Sequence, residues 1–250
     1  MQLIILRWVF PSGVLSDVAR ATGGVAQPTL LANAAISIVV IGGALIGVGG
    51  QRLRDLGLTG GVRLAAFATA IVWGLLNLAE AADAWRSGDL AVDPAWAIKP
   101  VATIGQWIAV TFGTAFLEEI VFRGVLLRQL FSRARSRRID PAVALLAAIM
   151  VSQSLFAAMH LPMLLTIGAT GLWRPLLGLF VAGCALAVLF VVTGNLPLCI
   201  GIHGLADAPS LLVVDRWGLL DHQSFVLCAC LMLAAIHTLG ERWKGRGLTK

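Results

Sequence analysis

Two adjacent carboxylates and a guanidinium stand inside an apolar run, where Phe116-Leu117-Glu118-Glu119-Ile120-Val121-Phe122-Arg123 continues a hydrophobic stretch that reaches back to Val101. A charge at bilayer depth is expensive unless it is paired or faces water. A sequence that keeps three there has a use for them. On a helix, Glu119 and Arg123 stand four residues apart on one face with the carboxylate first, the favourable order for an ion pair. Glu118 points about 100° away from its neighbour and has no partner inside the motif. The spacing therefore divides the labour: Glu119 is held by Arg123, and Glu118 is left for chemistry.

Two further polar clusters interrupt apolar stretches downstream. One is Ser152-Gln153-Ser154 followed by Phe156-Ala157-Ala158-Met159-His160, and the other is His203-Gly204-Leu205-Ala206-Asp207. His203 and Asp207 are again four apart and share a helix face. Each cluster alone has an ordinary structural reading: His160 beside Pro162 as an interfacial or capping residue, His203 with Asp207 as a neutralised pair, Glu119 with Arg123 as helix glue. His222 and His237 read as structural too, and Asn77 as an interhelical hydrogen-bonder. Together, two Glu, an Arg, two His and an Asp spread over three apolar stretches are the inventory for activating water and stabilising an oxyanion. A carboxylate in a poorly hydrated site can serve as general base and then acid. An imidazole beside it can orient the same water or take a proton, and a second imidazole can hydrogen-bond the carbonyl oxygen as charge builds on it.

The elements that must position these groups are membrane helices. The chain of 250 residues is 58% hydrophobic and 13% charged, with a mean hydropathy of +0.88, which indicates an integral membrane protein. The expected fold class is all-α, a polytopic transmembrane bundle. Taking ~20 apolar residues per crossing, seven spans emerge: Thr29 to Gly50, Leu64 to Ala82, a third from near Pro100 through the Glu-Glu motif, Ala142 to Leu161, Pro175 to Thr193, Leu196 to Val214 and Phe225 to Gly240. Gly43 and Gly47 give the first span a small-xxx-small face suited to close helix packing. The third can run on as an amphipathic helix through Arg128 to Phe131, and Pro141 is well placed to open the fourth. Residues 1–28 form an N-terminal segment in which Met1 to Phe10 reads as interfacial; residues 29–250 form the bundle, with its core at about 100–215. If Met1 to Val18 also crosses, the spans number eight.

The net charge of +6 is not a nucleic-acid footprint, because the basic residues lie in short clusters between apolar spans. Loops after spans one and three and the tail hold eleven Lys and Arg (Arg52, Arg54, Arg63; Arg133, Arg135, Arg137, Arg138; Arg242, Lys244, Arg246, Lys250), against Arg86, Lys99, Arg174 and Arg216 on the other side. With seven spans all three rich segments share one side, which places the C-terminus in the cytoplasm. Arg outnumbers Lys sixteen to three, which reads as high-GC bacterial coding bias and points to a bacterial inner membrane. Cys184, Cys199, Cys228 and Cys230 lie in apolar runs as packing residues, with neither a disulfide framework nor a zinc-ligand spacing.

The three polar motifs resemble those of the CPBP family of intramembrane endopeptidases, which includes the type II CAAX prenyl proteases. Its motifs are Glu-Glu-x-x-x-Arg, Phe-x-x-x-His and His-x-x-x-Asn, matched here by Glu118-Glu119-Ile120-Val121-Phe122-Arg123, Phe156-Ala157-Ala158-Met159-His160 and His203-Gly204-Leu205-Ala206-Asp207. The resemblance covers about Phe116 to Asp207. It implies Glu118 as the catalytic glutamate, His160 as its partner in activating water, Glu119 and Arg123 as supports, and His203 with Asp207 as the oxyanion pair. The departure is Asp207, where the family has Asn: an ionised Asp would repel an oxyanion, so it is either protonated or holds His203 as imidazolium. The resemblance leaves the metal open. Glu118, His160 and His203 could make a three-ligand zinc site, but no His-Glu-x-x-His is present, and a metal-free mechanism is favoured.

The implied function is hydrolysis of a peptide bond in a membrane protein or lipidated peptide, of which a prenylated CAAX tail is the family's best-known example. The bilayer is the other implied partner. Two readings compete: a proton-coupled transporter using Glu118, His160 and His203 as a relay, and a non-catalytic scaffold or bacteriocin-immunity protein that keeps these residues for stability. Against the transporter, no repeated half and no pair of broken helices is visible. On simple rise per residue, His160 lies roughly 29 Å from the cytoplasmic start of its helix and His203 only about 10 Å from that of its own, a mismatch the structure must resolve.

Overall fold

The computed structural model describes residues 13–50, 52, 55–58, 61–168, 171–214 and 222–247. The interfacial reading of Met1 to Phe10 and the loop from Asp215 to Asp221 lie outside them. In chain order the helices are α1 (Val14–Ala21), α2 (Pro28–Val48), α3 (Val62–Arg86), α4 (Pro94–Ile98), α5 (residues 100–136), α6 (Pro141–Met159), α7 (Leu161–Thr166), α8 (Trp173–Thr193), α9 (Leu196–Asp207) and α10 (His222–Gly247). No strand occurs among the described residues; a single antiparallel bridge joins Val92 to Val213.

Among the described residues, five helices are long and apolar enough to cross a membrane: Pro28–Val48, Val62–Arg86, Pro141–Thr166, Trp173–Thr193 and Ser224–Glu241 within α10. The protein is an integral membrane protein by this measure, and its outer faces present large apolar side chains such as Phe67, Leu78, Leu146 and Ile236. The other two spans read from sequence are α5 and α9. In α5, Glu118, Glu119 and Arg123 break the apolar run, and stretches of wider π turns at Val110–Ala115 and Ile120–Leu127 alternate with α turns. Such π turns collect at functional sites.

The expected sixth span, Leu196 to Val214, overran. Its helix has 12 residues and stops at Asp207, a rise of about 18 Å against a hydrocarbon core of ~30 Å. The reason is Pro209, which pushes Ala208 to extended backbone (φ −87, ψ 160). At its other end, Gly194 takes the left-handed φ of 63 that closes α8, and the Asn195 side chain accepts from Leu198 N at 3.1 Å to open α9. Asp140 caps α6 in the same way, accepting from Ala142 N at 2.8 Å with Pro141 behind it.

Nine of the twelve residues of α9 are buried. The helix is sheathed by α3, α5, α8 and α10. The segment after it is tied down by side chains from elsewhere: Trp73 Nε1 donates to Ser210 O at 2.7 Å, Trp96 Nε1 to Pro209 O at 3.1 Å, and Asn77 Oδ1 accepts from Leu212 N at 2.7 Å. Close helix approach does not use Gly43, where an added Cβ would meet nothing within 4 Å, because that half of α2 lies at the bundle's edge with Val39 68% exposed. It uses α9 instead, where Gly201 faces Thr69 of α3 and Gly204 faces Thr111 of α5. The described end of the expected N-terminal segment is α1, a short helix set off by Gly13 and carrying an Asp17–Arg20 ion pair.

Candidate active site

Glu119 and Arg123 are both fully buried, and Arg123 Nη1 donates to Glu119 Oε1 at 2.8 Å. The guanidinium also donates from Nη2 to the carbonyl of Gly183 on α8 at 3.2 Å and lies 4.6 Å over the ring of Phe156 on α6. A Cβ at position 183 would come within 2.9 Å of Gln153 Oε1 and 3.4 Å of Arg123 Nη2. Gly183 is thus a member of the site that the sequence motifs did not include, and a glycine mid-helix in α8 was its only signal.

Glu119 does more than pair with Arg123. The same Oε1 lies 2.7 Å from His203 Nδ1 on α9. The other ring nitrogen, Nε2, is 3.2 Å from Asp207 Oδ2 and 3.7 Å from Glu118 Oε2. Arg123, Glu119, His203 and Asp207 therefore form one charged chain running from α8 to the half-exposed Asp207, whose side chain is 48% exposed. Spacing alone could not show the Glu119–His203 contact, because 84 residues separate the two.

Glu118 stands apart from this chain. It is 8% exposed, and its Oε2 has no hydrogen-bond partner among the described residues. It lies within electrostatic reach of His203, His160, Asp207 and Glu119. His160 caps the end of α6, and its Nδ1 is 2.8 Å from Phe156 O. Since a carbonyl only accepts, Nδ1 carries the proton and the Nε2 lone pair is left available. Phe156 links the two histidines, its ring meeting His160 at 4.9 Å and His203 at 6.0 Å, both edge-on.

The start of α9 is covered by the rest of the protein. Leu196 has no exposed surface and packs beneath the turn at Gly57. Whatever the count along each helix, the packing brings both histidines to the ring of Phe156.

Among the described residues, no group of three or more His, Cys, Asp or Glu side chains is arranged to hold a metal ion. In the trio Glu118, His160 and His203, both His203 nitrogens are already engaged by carboxylate oxygens. A zinc ligand must offer a neutral nitrogen with a free lone pair, and here Nε2 of His203 is turned to Asp207 instead.

Residues 100–209 match the family model described as type II CAAX prenyl endopeptidase Rce1-like. This segment belongs to that family. No curated protein and no solved structure matches the chain. The Rce1-like segment opens with α5 and ends at Pro209, just past α9, so it holds Glu118, Glu119, Arg123, His160, His203 and Asp207 together. The family is one of proteases, and the geometry around Glu118 belongs to its segment and not to the surrounding α2, α3 and α10.

Proposed function

We propose that the protein is an intramembrane endopeptidase that cleaves a membrane-associated, CAAX-type substrate with water activated by Glu118 and His160. The observation that carries this reading is the contrast between neighbours: Glu118 is buried, accepts no hydrogen bond on Oε2 among the described residues, lies 3.7 Å from His203 Nε2 and is within electrostatic reach of His160, whereas Glu119 has its Oε1 shared between Arg123 and His203. Glu118 takes a proton from the water as its oxygen attacks the scissile carbonyl carbon. His160 Nε2 holds the water's second hydrogen. The carbonyl oxygen becomes an oxyanion, the C–N bond breaks, and the proton on Glu118 passes to the leaving amine.

His203 supplies the positive group for the oxyanion. Flanked by carboxylate oxygens at 2.7 and 3.2 Å, it is held as imidazolium with Nδ1–H fixed on buried Glu119. Nε2–H turns from the longer, half-exposed contact with Asp207 to the developing oxyanion. Asp207 thus keeps the imidazolium in place between turnovers, and Glu119 with Arg123 sets its orientation. The reaction is metal-free on this reading. We place α5, and α9 together with the extended segment that carries it on to Val213, with the five long helices as seven crossings of a bacterial inner membrane, with the C-terminus cytoplasmic, as the Lys and Arg distribution supports.

The test is cleavage of a farnesylated CAAX-type peptide and of its unprenylated form by the purified protein, with and without chelator, for the native chain and Glu118→Gln. Cleavage that survives chelator and disappears in the variant is the expected result. Loss of activity with chelator and its rescue by zinc would overturn the metal-free mechanism. Substrate-driven proton flux in liposomes with no cleaved product would favour a transporter, and full function in Glu118→Gln a scaffold.

A further inference from the structure

α9 carries its charged groups on one face and a cavity behind the other. His203 and Asp207 face the site, whereas Pro197, Gly201 and Leu205, each four residues from the next, form the back wall of a cavity of about 640 Å³. Its side walls are α3 and the first half of α5, and its lining is almost wholly apolar. Both walls already touch α9, through Thr69 against Gly201 and Thr111 against Gly204. Neither helix can close further without those contacts clashing, so the cleft is held open by the packing itself.

Three features define what fits it. Its outer rim is exposed apolar surface, with Phe112 59% and Ile104 46% exposed, so it opens toward lipid. Along α3 it runs from Val62 to Trp73, a rise of about 16 Å over eleven residues, close to the depth of one leaflet of a ~30 Å hydrocarbon core. At the Val62 end stands Arg63, exposed and, among the described residues, without a carboxylate partner. At the deep end the rings of Trp73 and Trp96 line the cavity while their N–H groups are spent on Ser210 and Pro209 carbonyls, leaving only apolar faces for a ligand.

We propose that this cleft holds one acyl chain of an anionic bilayer phospholipid, whose phosphate is met by Arg63. The chain fills the space behind Gly201 and Leu205 and supports α9 from the face opposite His203. The site is separate from the candidate active site, and its occupancy is read without any cleavage assay, so failure here and failure of the protease reading are distinguishable.

The experiment uses intrinsic tryptophan fluorescence of the full chain in detergent micelles, titrated with phosphatidylglycerol brominated on its acyl chains, and separately with brominated phosphatidylcholine. The expected result is a saturable quenching component, reached at lower concentration with the anionic lipid. That component shrinks in Trp107→Phe, which removes a reporter on the cavity wall. It disappears in the double variant Ala66→Phe, Ala70→Phe, which fills the cleft from two exposed rim positions. Arg63→Gln moves the anionic midpoint to that of the neutral lipid. Quenching that does not saturate, or that is unchanged in both the filled variant and Trp107→Phe, overturns the site. Equal midpoints for the two lipids in the native chain overturn the assigned headgroup. Displacement of the brominated lipid by equimolar farnesylated peptide overturns the assigned occupant.

Discussion

Glu118 and Glu119 are neighbours of identical chemistry with opposite surroundings. Glu119 has no exposed surface, and one of its oxygens is shared between Arg123 at 2.8 Å and His203 at 2.7 Å. Glu118, one residue earlier and about 100° around the helix, reaches only to 3.7 Å from His203 Nε2; Oε2 of both glutamates is buried without a hydrogen bond among the described residues, so the difference lies in the doubly shared Oε1 of Glu119. A carboxylate tied to a guanidinium and an imidazole in a greasy bundle is structure; one near an imidazole but not bound to it is poised for proton transfer. The difference assigns roles that residue type alone cannot.

The largest effect follows from neutralising the poised partner. Glu118→Gln keeps shape and volume but removes the base, so cleavage should fall by about a thousandfold, within the range for loss of general base catalysis. The thermal midpoint in detergent should stay near the native value, because Glu118 makes only the longer, 3.7 Å contact with His203 while Glu119 and Asp207 keep that ring in place. A Glu118→Gln protein that cleaves at the native rate would erase the distinction between the two glutamates.

Breaking the structural partner has a different signature. Arg123→Met leaves buried Glu119 with His203 as its one remaining partner among the described residues, and loss of one member of a buried pair costs about 3–5 kcal/mol. Thermal unfolding should show this directly. Adding Glu119→Leu removes the under-compensated buried charge and should recover part of the midpoint. Cleavage should nevertheless stay about 10–100-fold down, the usual loss when a group that orients a site imidazole is removed, because His203 Nδ1 has then lost its acceptor. Recovery of both stability and activity would show that Glu119 orients nothing.

A milder perturbation reaches the same pair from α8. In Gly183→Ala the new Cβ would lie 2.9 Å from Gln153 Oε1 and 3.1 Å from Phe156 Cδ1, an overpacking worth about 1–3 kcal/mol. Activity should fall through the shift of Phe156, which touches both histidines, yet less than in Arg123→Met. A structure of this variant with Arg123 unmoved and activity unchanged would confine Gly183 to packing.

How much of this was legible in the sequence follows the range of each interaction. The Glu119–Arg123 and His203–Asp207 pairs span four residues each and could be read from helix geometry alone. So could the caps at Asp140 and the Gly194-Asn195 turn, since these are local chemistry. The Glu119–His203 contact, the meeting of both histidines on Phe156 and the role of Gly183 depend on how α5, α6, α8 and α9 pack, which no local pattern encodes. Hydropathy identified the apolar segments but not where α9 begins and ends. An apolar run does not reveal that Leu196 is covered by the turn at Gly57, and the hydrophobic residues after Pro209 mask the stop it imposes.

The smallest effect concerns the outer end of the charged chain. Asp207 touches His203 at 3.2 Å but is half in solvent, whereas Glu119 holds the same ring from complete burial. An ion pair of that exposure is worth about 0.2–1 kcal/mol, so Asp207→Asn should change the cleavage rate by less than tenfold and leave the thermal midpoint nearly fixed. The Asn amide oxygen can still accept from Nε2–H, so the imidazole keeps its position. Glu119→Gln, a change of the same chemical size on the other side of the ring, should be far more damaging, because it strands Arg123 in a dry interior. If the two substitutions proved equally harmful, His203 would be held as firmly from its exposed side as from its buried one, and burial would not be what separates a support from a reacting group here.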